Sequence, residues 1–315
     1  MPEQQNLVSN KSPLQSLLTT TAIVVIGFAV LGPLLGLAVA SPFYEGDLMK
    51  DLLAFKNDPA LFYPVMIMQG VGTFVGLILF PFIQLRFLEQ KSLLPFFPPQ
   101  HKVFFILLVV GLVSFNFIVA ISPIVEWNSS IIFPDFLGGF QEWARSKEDE
   151  LAKFTEIVTR FNSVPDMLLG LLVIALLPAI GEELVFRGII QNEFWRGTKN
   201  IHLSIWLAAI IFSAIHIQFY GFVPRVLLGA LFGYLYYWSG NLLIPIFAHF
   251  FNNGFSVVAL YLNQQQIIET NVEEIDSAPW PAVIFSVVLT LALLYYLWRF
   301  FKQYPPQTAG DQNVL

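Results

Sequence analysis

The sequence predicts an all-α membrane protein, a polytopic bundle of about eight transmembrane helices, and three observations carry that prediction. Only 12% of the 315 residues are charged while 56% are hydrophobic, with a mean hydropathy of +0.67; soluble domains carry about 25% charged residues. Several apolar runs reach or exceed the ~20 residues that a helix needs to cross a bilayer, and in lipid such a run must satisfy its own backbone groups as a helix. Basic and acidic connecting segments also alternate along the chain, as they do where loops fall on opposite faces of a membrane. The 32 Phe and seven Trp suit lipid-facing and interfacial surfaces.

The first span, 17–40, ends in Ala38-Val39-Ala40-Ser41, a string like a signal-peptidase site. Its apolar core is longer than the ~7–15 residues of a signal peptide, and only Lys11 precedes it, so a retained helix is expected. Spans follow at 61–83 and 103–125, with a short cytoplasmic interfacial segment expected between them at 86–99. Residues 126–166 mix charge with apolar positions at helical spacing, among them Phe140, Trp143, Leu151, Phe154, Ile157 and Phe161. They read as one or two amphipathic helices on the outer interface, or as a solvated loop packed on the bundle. The remaining spans are 167–194, 202–218, 223–239, 241–262 and 280–300. Pro33, Pro178, Pro224 and Pro245 are expected to kink or start helices. The chain divides into N-terminal helices with the interfacial segment (1–160), a polar-centred core (161–265), and a last helix with a cytoplasmic tail (266–315). No internal repeat is visible, which disfavours an inverted-repeat transporter.

Orientation follows from the loops. Lys11, then Arg86, Lys91 and Lys102, then Arg196 and Lys199, then Arg299 and Lys302 alternate with acidic segments. The acidic segments hold Glu45, Asp47, Asp51 and Asp58, then Glu148, Asp149 and Glu150, then Glu269, Glu273, Glu274 and Asp276. Positive residues mark the cytoplasmic side, so both termini are expected there, in a bacterial inner or plasma membrane. With no cysteine, disulfides, thiolate catalysis and cysteine-ligated metals are excluded. The net charge of −6 argues against nucleic acid as a partner.

One polar cluster breaks the apolar pattern. Glu182, Glu183 and Arg187 lie within a hydrophobic stretch, where an ionised group costs about 2.5–3.5 kcal/mol even on insertion scales. His216 and His249 also fall inside apolar spans, whereas His101 and His202 fall at span ends and are expected to have no special role. Counted from the cytoplasmic ends at 1.5 Å per residue, Glu182, His216 and His249 lie roughly 20, 22 and 13 Å deep, so one shared site is allowed. Glu182 and Glu183 point ~100° apart on a helix. Glu183 and Arg187 are i,i+4 neighbours and are expected to form an ion pair, leaving Glu182 free; His249 and Asn253 share a face in the same way. The convergent set is Glu182, His216, His249 and Asn253. Such a set can activate water through a buried carboxylate and a histidine, with His and Asn donors for an oxyanion. Glu182, His216 and His249 could instead hold a divalent metal. The single-helix zinc signature His-Glu-x-x-His is absent, so the expectation is no cofactor.

With these residues in place, the chain resembles the CAAX-protease and bacteriocin-processing family of intramembrane proteases, the CPBP or Abi family. Three motifs match in order: Glu182-Glu183-x-x-x-Arg187, Phe212-x-x-x-His216 and His249-x-x-x-Asn253. Arg187-Gly188, Gly233-Tyr234-Leu235 and Gly240-Asn241-Leu242 agree as flanks, and the resemblance covers roughly 165–260. It implies an eight-helix bundle of the Abi/CAAX type, cleaving a peptide or protein substrate near the cytoplasmic side of the membrane. It implies further that Glu182 and His216 activate water without metal and that His249 and Asn253 form the oxyanion hole. The competing readings are a non-catalytic scaffold or immunity protein binding a membrane partner, and an ion-coupled transporter using the same groups as a relay.

Overall fold

Among the described residues seven helices are long and apolar enough to cross a membrane: α1 (Pro13–Phe43), α3 (Pro59–Leu88), α4 (Val103–Ser129), α6 (Val164–Thr198), α8 (Phe219–Ser239), α9 (Leu243–Gln264) and α10 (Trp280–Gln303). The structure, a computed structural model, describes residues 11–269 and 276–305, and among them there is no strand. Glu273 and Glu274 of the third acidic segment, and the tail from residue 306, lie outside the described residues. The eighth expected span, 202–218, is instead α7 (Ile201–Ala214). Its 14 residues reach about 21 Å, short of the ~30 Å hydrocarbon core. The chain then turns through 215–218 before α8. Two helices lie between spans, α2 (Leu48–Leu53) and the single amphipathic α5 (Gly138–Val158). Residues 89–102 form a connector with one short turn at Leu94–Phe96, tucked under the α8–α9 junction by Leu242 N–H to Phe96 O (2.8 Å).

Local chemistry sets these boundaries. Ser12 caps α1 in a capping box with Gln15, with Pro13 at the first helical position. Asp47, Ser163 and Asn200 cap α2, α6 and α7 with side-chain acceptors. Gly240, at φ +61°, takes the left-handed turn between α8 and α9. Three helices widen into π-helical turns just before a proline: Val25–Leu31 before Pro33, Phe74–Leu79 before Pro81, and Leu171–Leu176 before Pro178. Proline lacks the N–H and its ring clashes with the carbonyl four residues back, so a wider turn relieves the clash without a break. Two further π segments, Gln84–Leu88 at the end of α3 and Leu184–Ile190 in α6, have no proline just after them.

α1 packs on α3, α10 on α4, and α7 on α8, while α9 lies against α4, α6 and α8. α5 buries Ile157 and Val158 against Ala40, Tyr44, Leu48 and Leu61 at the ends of α1 and α3. At the opposite end a buried polar network ties α1, α3 and α6 together. Lys91 bridges Glu89 (2.8 Å) and Glu193 (3.1 Å), Arg196 pairs with Glu193 (2.5 Å), and Glu89 accepts from Ser16 (2.7 Å) and Gln84 (2.8 Å). Burial alone would raise the Glu89 carboxyl, but the bonds from Lys91, Ser16 and Gln84 outweigh it and hold it below the usual value of 4.5. A depressed folded value adds stability above pH 4.5, lost as pH falls through that value. Removing one partner of a buried pair costs about 3–5 kcal/mol. Lys91→Met is therefore expected to lower the thermal midpoint in detergent by several degrees or more; a midpoint within one degree of the parent would show that the network contributes nothing.

Candidate active site

The polar centre is built from α6, α8, α9 and the α7–α8 turn. Glu183 and Arg187 lie about one turn apart on α6, on either side of the point where it widens into the Leu184–Ile190 π segment. They meet as an ion pair, Arg187 Nη1 to Glu183 Oε1 at 2.6 Å, with side chains 1% and 0% exposed. Arg187 Nη2 donates to Gly229 O of α8 at 2.7 Å. The guanidinium also lies over the rings of Phe212 (4.9 Å) and Phe232 (5.4 Å), so its charge is met on every side by a carboxylate, a carbonyl and two π faces.

His249 joins this pair to Glu182. Its Nδ1 lies 2.8 Å from Glu183 Oε1 and its Nε2 lies 3.8 Å from Glu182 Oε2. Glu183 and Arg187 form the neighbouring ion pair that their spacing suggests, and the His249 imidazole extends it, spanning both carboxylates. With Arg187 donating to the same Glu183 oxygen, that oxygen serves as an acceptor, and His249 is assigned as the Nδ1–H tautomer that donates to it. Nε2 faces the site. The ring stacks on Phe232 (5.1 Å, 21°), which fixes its plane. Glu182 Oε2 is buried without a hydrogen-bond partner, and its side chain is 14% exposed.

His216 lies beyond the end of α7, in the 215–218 turn, rather than inside a span. Its Nδ1 donates to Phe212 O at 2.8 Å, since a carbonyl can only accept, which leaves Nε2 as the free nitrogen. Phe212 meets the rings of both His216 (5.2 Å) and His249 (5.9 Å) edge-on. Asn253 accepts from Asn252 at 3.2 Å; neither it nor His216 hydrogen-bonds to Glu182 or His249. Among the described residues no three His, Asp or Glu side chains are gathered as a metal-ligand set. His202 bonds Tyr234 OH (2.9 Å), and His101 stacks on Tyr304 (5.1 Å) far from this centre. His101→Ala is expected to leave turnover within about twofold; a tenfold loss would mean the centre has been placed wrongly.

Arg225 is the cation that sequence reasoning passed over. It lies one turn inside α8, donates from Nη2 to Gln218 Oε1 at 2.6 Å, and has Nη1 buried without a partner. The signal was present, because an ionisable residue within an apolar span is itself a candidate.

The fold and this centre define a class: a polytopic helical membrane protein with a buried Glu–His–Arg cluster in its core. Residues 164–255, which contain all seven residues named in the three motifs, match the family of type II CAAX prenyl endopeptidases described as Rce1-like. Similar curated proteins include the uncharacterized protein YpbD of Bacillus subtilis, 28% identical over 137 residues, covering 42% of this chain and 57% of that one. The membrane-embedded CAAX protease MroQ of Staphylococcus aureus is 32% identical over 92 residues, 27% of this chain and 37% of its own. An uncharacterized 24.3 kDa protein of Escherichia coli is 34% identical over 95 residues, 28% and 42%. The similarity thus spans between about a third and three-fifths of these relatives. No solved structure matches the chain.

Proposed function

We propose that the chain is an intramembrane endopeptidase that hydrolyses a peptide bond of a membrane-associated protein or peptide. The observation that carries this is the position of His249, whose Nδ1 is held by Glu183 while Nε2 stands 3.8 Å from an unpartnered oxygen of Glu182. That separation is too long for a direct hydrogen bond, so the oxygen of Glu182 and Nε2 of His249 both keep hydrogen-bonding capacity for a water and a substrate carbonyl at the site. Glu182 takes the proton of the attacking water as its oxygen bonds to the carbonyl carbon. The Nε2 of His216, the acceptor of a neutral ring, shares that proton and helps return it to the leaving amine as the C–N bond breaks. His249 donates from Nε2 when doubly protonated, with Glu183 facing that charge at 2.8 Å. With the Asn253 amide it stabilises the oxyanion.

The match to the Rce1-like family and the similarity to a membrane-embedded CAAX protease support this reading. The loop charges support a plasma-membrane protein with cytoplasmic termini, and the bacterial sources of the similar proteins support a bacterial setting. The test is purified protein in lipid vesicles presented with membrane-anchored peptides, with new termini read by mass spectrometry. Cleavage is expected and is expected to survive exhaustive chelation. No new termini would overturn the assignment, and cleavage lost on chelation and restored by one added metal would overturn the metal-free mechanism.

A further inference from the structure

The turn that carries His216 is held from outside the family-matched segment. Ile217 sits at φ +54°, in the left-handed region that a β-branched residue adopts only under constraint. Such strain persists where the surroundings over-determine the backbone, and here they can be named. The Asn128 amide, at the end of α4, donates to Phe219 O (3.2 Å) while its oxygen accepts from Val223 N (2.9 Å). Glu148 of α5 accepts from Tyr220 N at 3.1 Å. Arg145, one turn earlier, lays its guanidinium over the Tyr220 ring at 3.5 Å and anchors itself on Ser129 O (3.1 Å). From the α7 side Ser213 donates to Phe222 O at 2.8 Å. Three backbone groups between residues 219 and 223 are thus taken by side chains of α4 and α5, and one more by α7.

We propose that Asn128 and Glu148 are positioning residues for His216, an inference that rests on the proteolytic reading of the site. The imidazole is itself tied to the end of α7 through Phe212 O. The position of its free Nε2 therefore depends on where the chain goes next, and residues 219–223 are fixed by the interfacial helix α5 and the end of α4. Neither position lies in segment 164–255, so relatives that share only the core need another way to hold this turn.

The test uses the full chain in lipid vesicles and three variants: Asn128→Ala, Glu148→Ala, and Glu148→Gln, which keeps an acceptor for Tyr220 N–H. Amide exchange over 215–223 is expected to rise about tenfold or more in the two alanine variants. Their kcat is expected to fall about 10- to 100-fold with KM nearly unchanged, as for a displaced catalytic group. Glu148→Gln is expected to stay within about threefold of the parent in both measurements. Exchange unchanged in both alanine variants, or loosened exchange with undiminished kcat, overturns the positioning role. A Glu148→Gln variant as slow as Glu148→Ala overturns the hydrogen-bond basis assigned to Glu148. A parent that cleaves nothing overturns the reaction, and the positioning role with it.

Discussion

Glu182→Gln is expected to reduce cleavage by about a thousandfold or more while the protein inserts and folds as before. General acid–base transfer by one positioned group contributes roughly 10²- to 10⁴-fold, and glutamine keeps the shape of glutamate without its basicity. The folded state should not suffer. Glu182 carries an oxygen that is buried and unpartnered, and an uncompensated buried charge is costly. The thermal midpoint is therefore expected to stay level or rise. Purified parent and variant, compared on one reporter peptide in the same vesicles, decide the matter. Equal rates would remove Glu182 from the chemistry and leave the cluster a structural one.

The second large effect is expected at Arg187. In Arg187→Met the Glu183 carboxylate, 0% exposed, keeps only His249 as a partner. Breaking a buried pair in this way costs about 3–5 kcal/mol, which for a chain of this size is roughly 10 °C in thermal midpoint. Arg187→Lys should rescue little, because a lysine cannot reach Glu183 and Gly229 O with two rigidly spaced donors. Combining Arg187→Met with Glu183→Gln should recover much of the stability, since no buried charge is then stranded. It should not recover turnover, because the imidazole of His249 has lost the carboxylate that sets its tautomer. A single variant within one degree of the parent would show that the pair does not hold the core.

The apolar runs were legible because bilayer length is a hard constraint on composition, and the Glu183–Arg187 pair because their spacing places both side chains on one face. What lay beyond reach were relations between helices. Glu183 and His249 are 66 residues apart, and spacing within one helix says nothing about which ring nitrogen of another will meet it. The early end of α7 was hidden for a different reason. Ile215 and Ile217 keep the hydropathy high through the turn, and no glycine or proline appears until Gly221, so the break is recorded only in the backbone. Lys91 reads from the sequence as a loop charge and nothing in the pattern singles out Glu193, yet both are almost fully buried. A loop charge and a buried bridge have the same letters.

That bridge has a consequence for biogenesis. Helix α1 enters the bilayer early, but the groups that lock its base are Glu89, Lys91 and, roughly a hundred residues later, Glu193 and Arg196. At 5–20 residues per second, Lys91 must wait about 5–20 s for its second carboxylate. Until then the first three spans form an unlatched assembly in which Lys91 has only Glu89 as its partner. A nascent chain arrested in that interval is the species that membrane quality-control proteases would be best placed to attack.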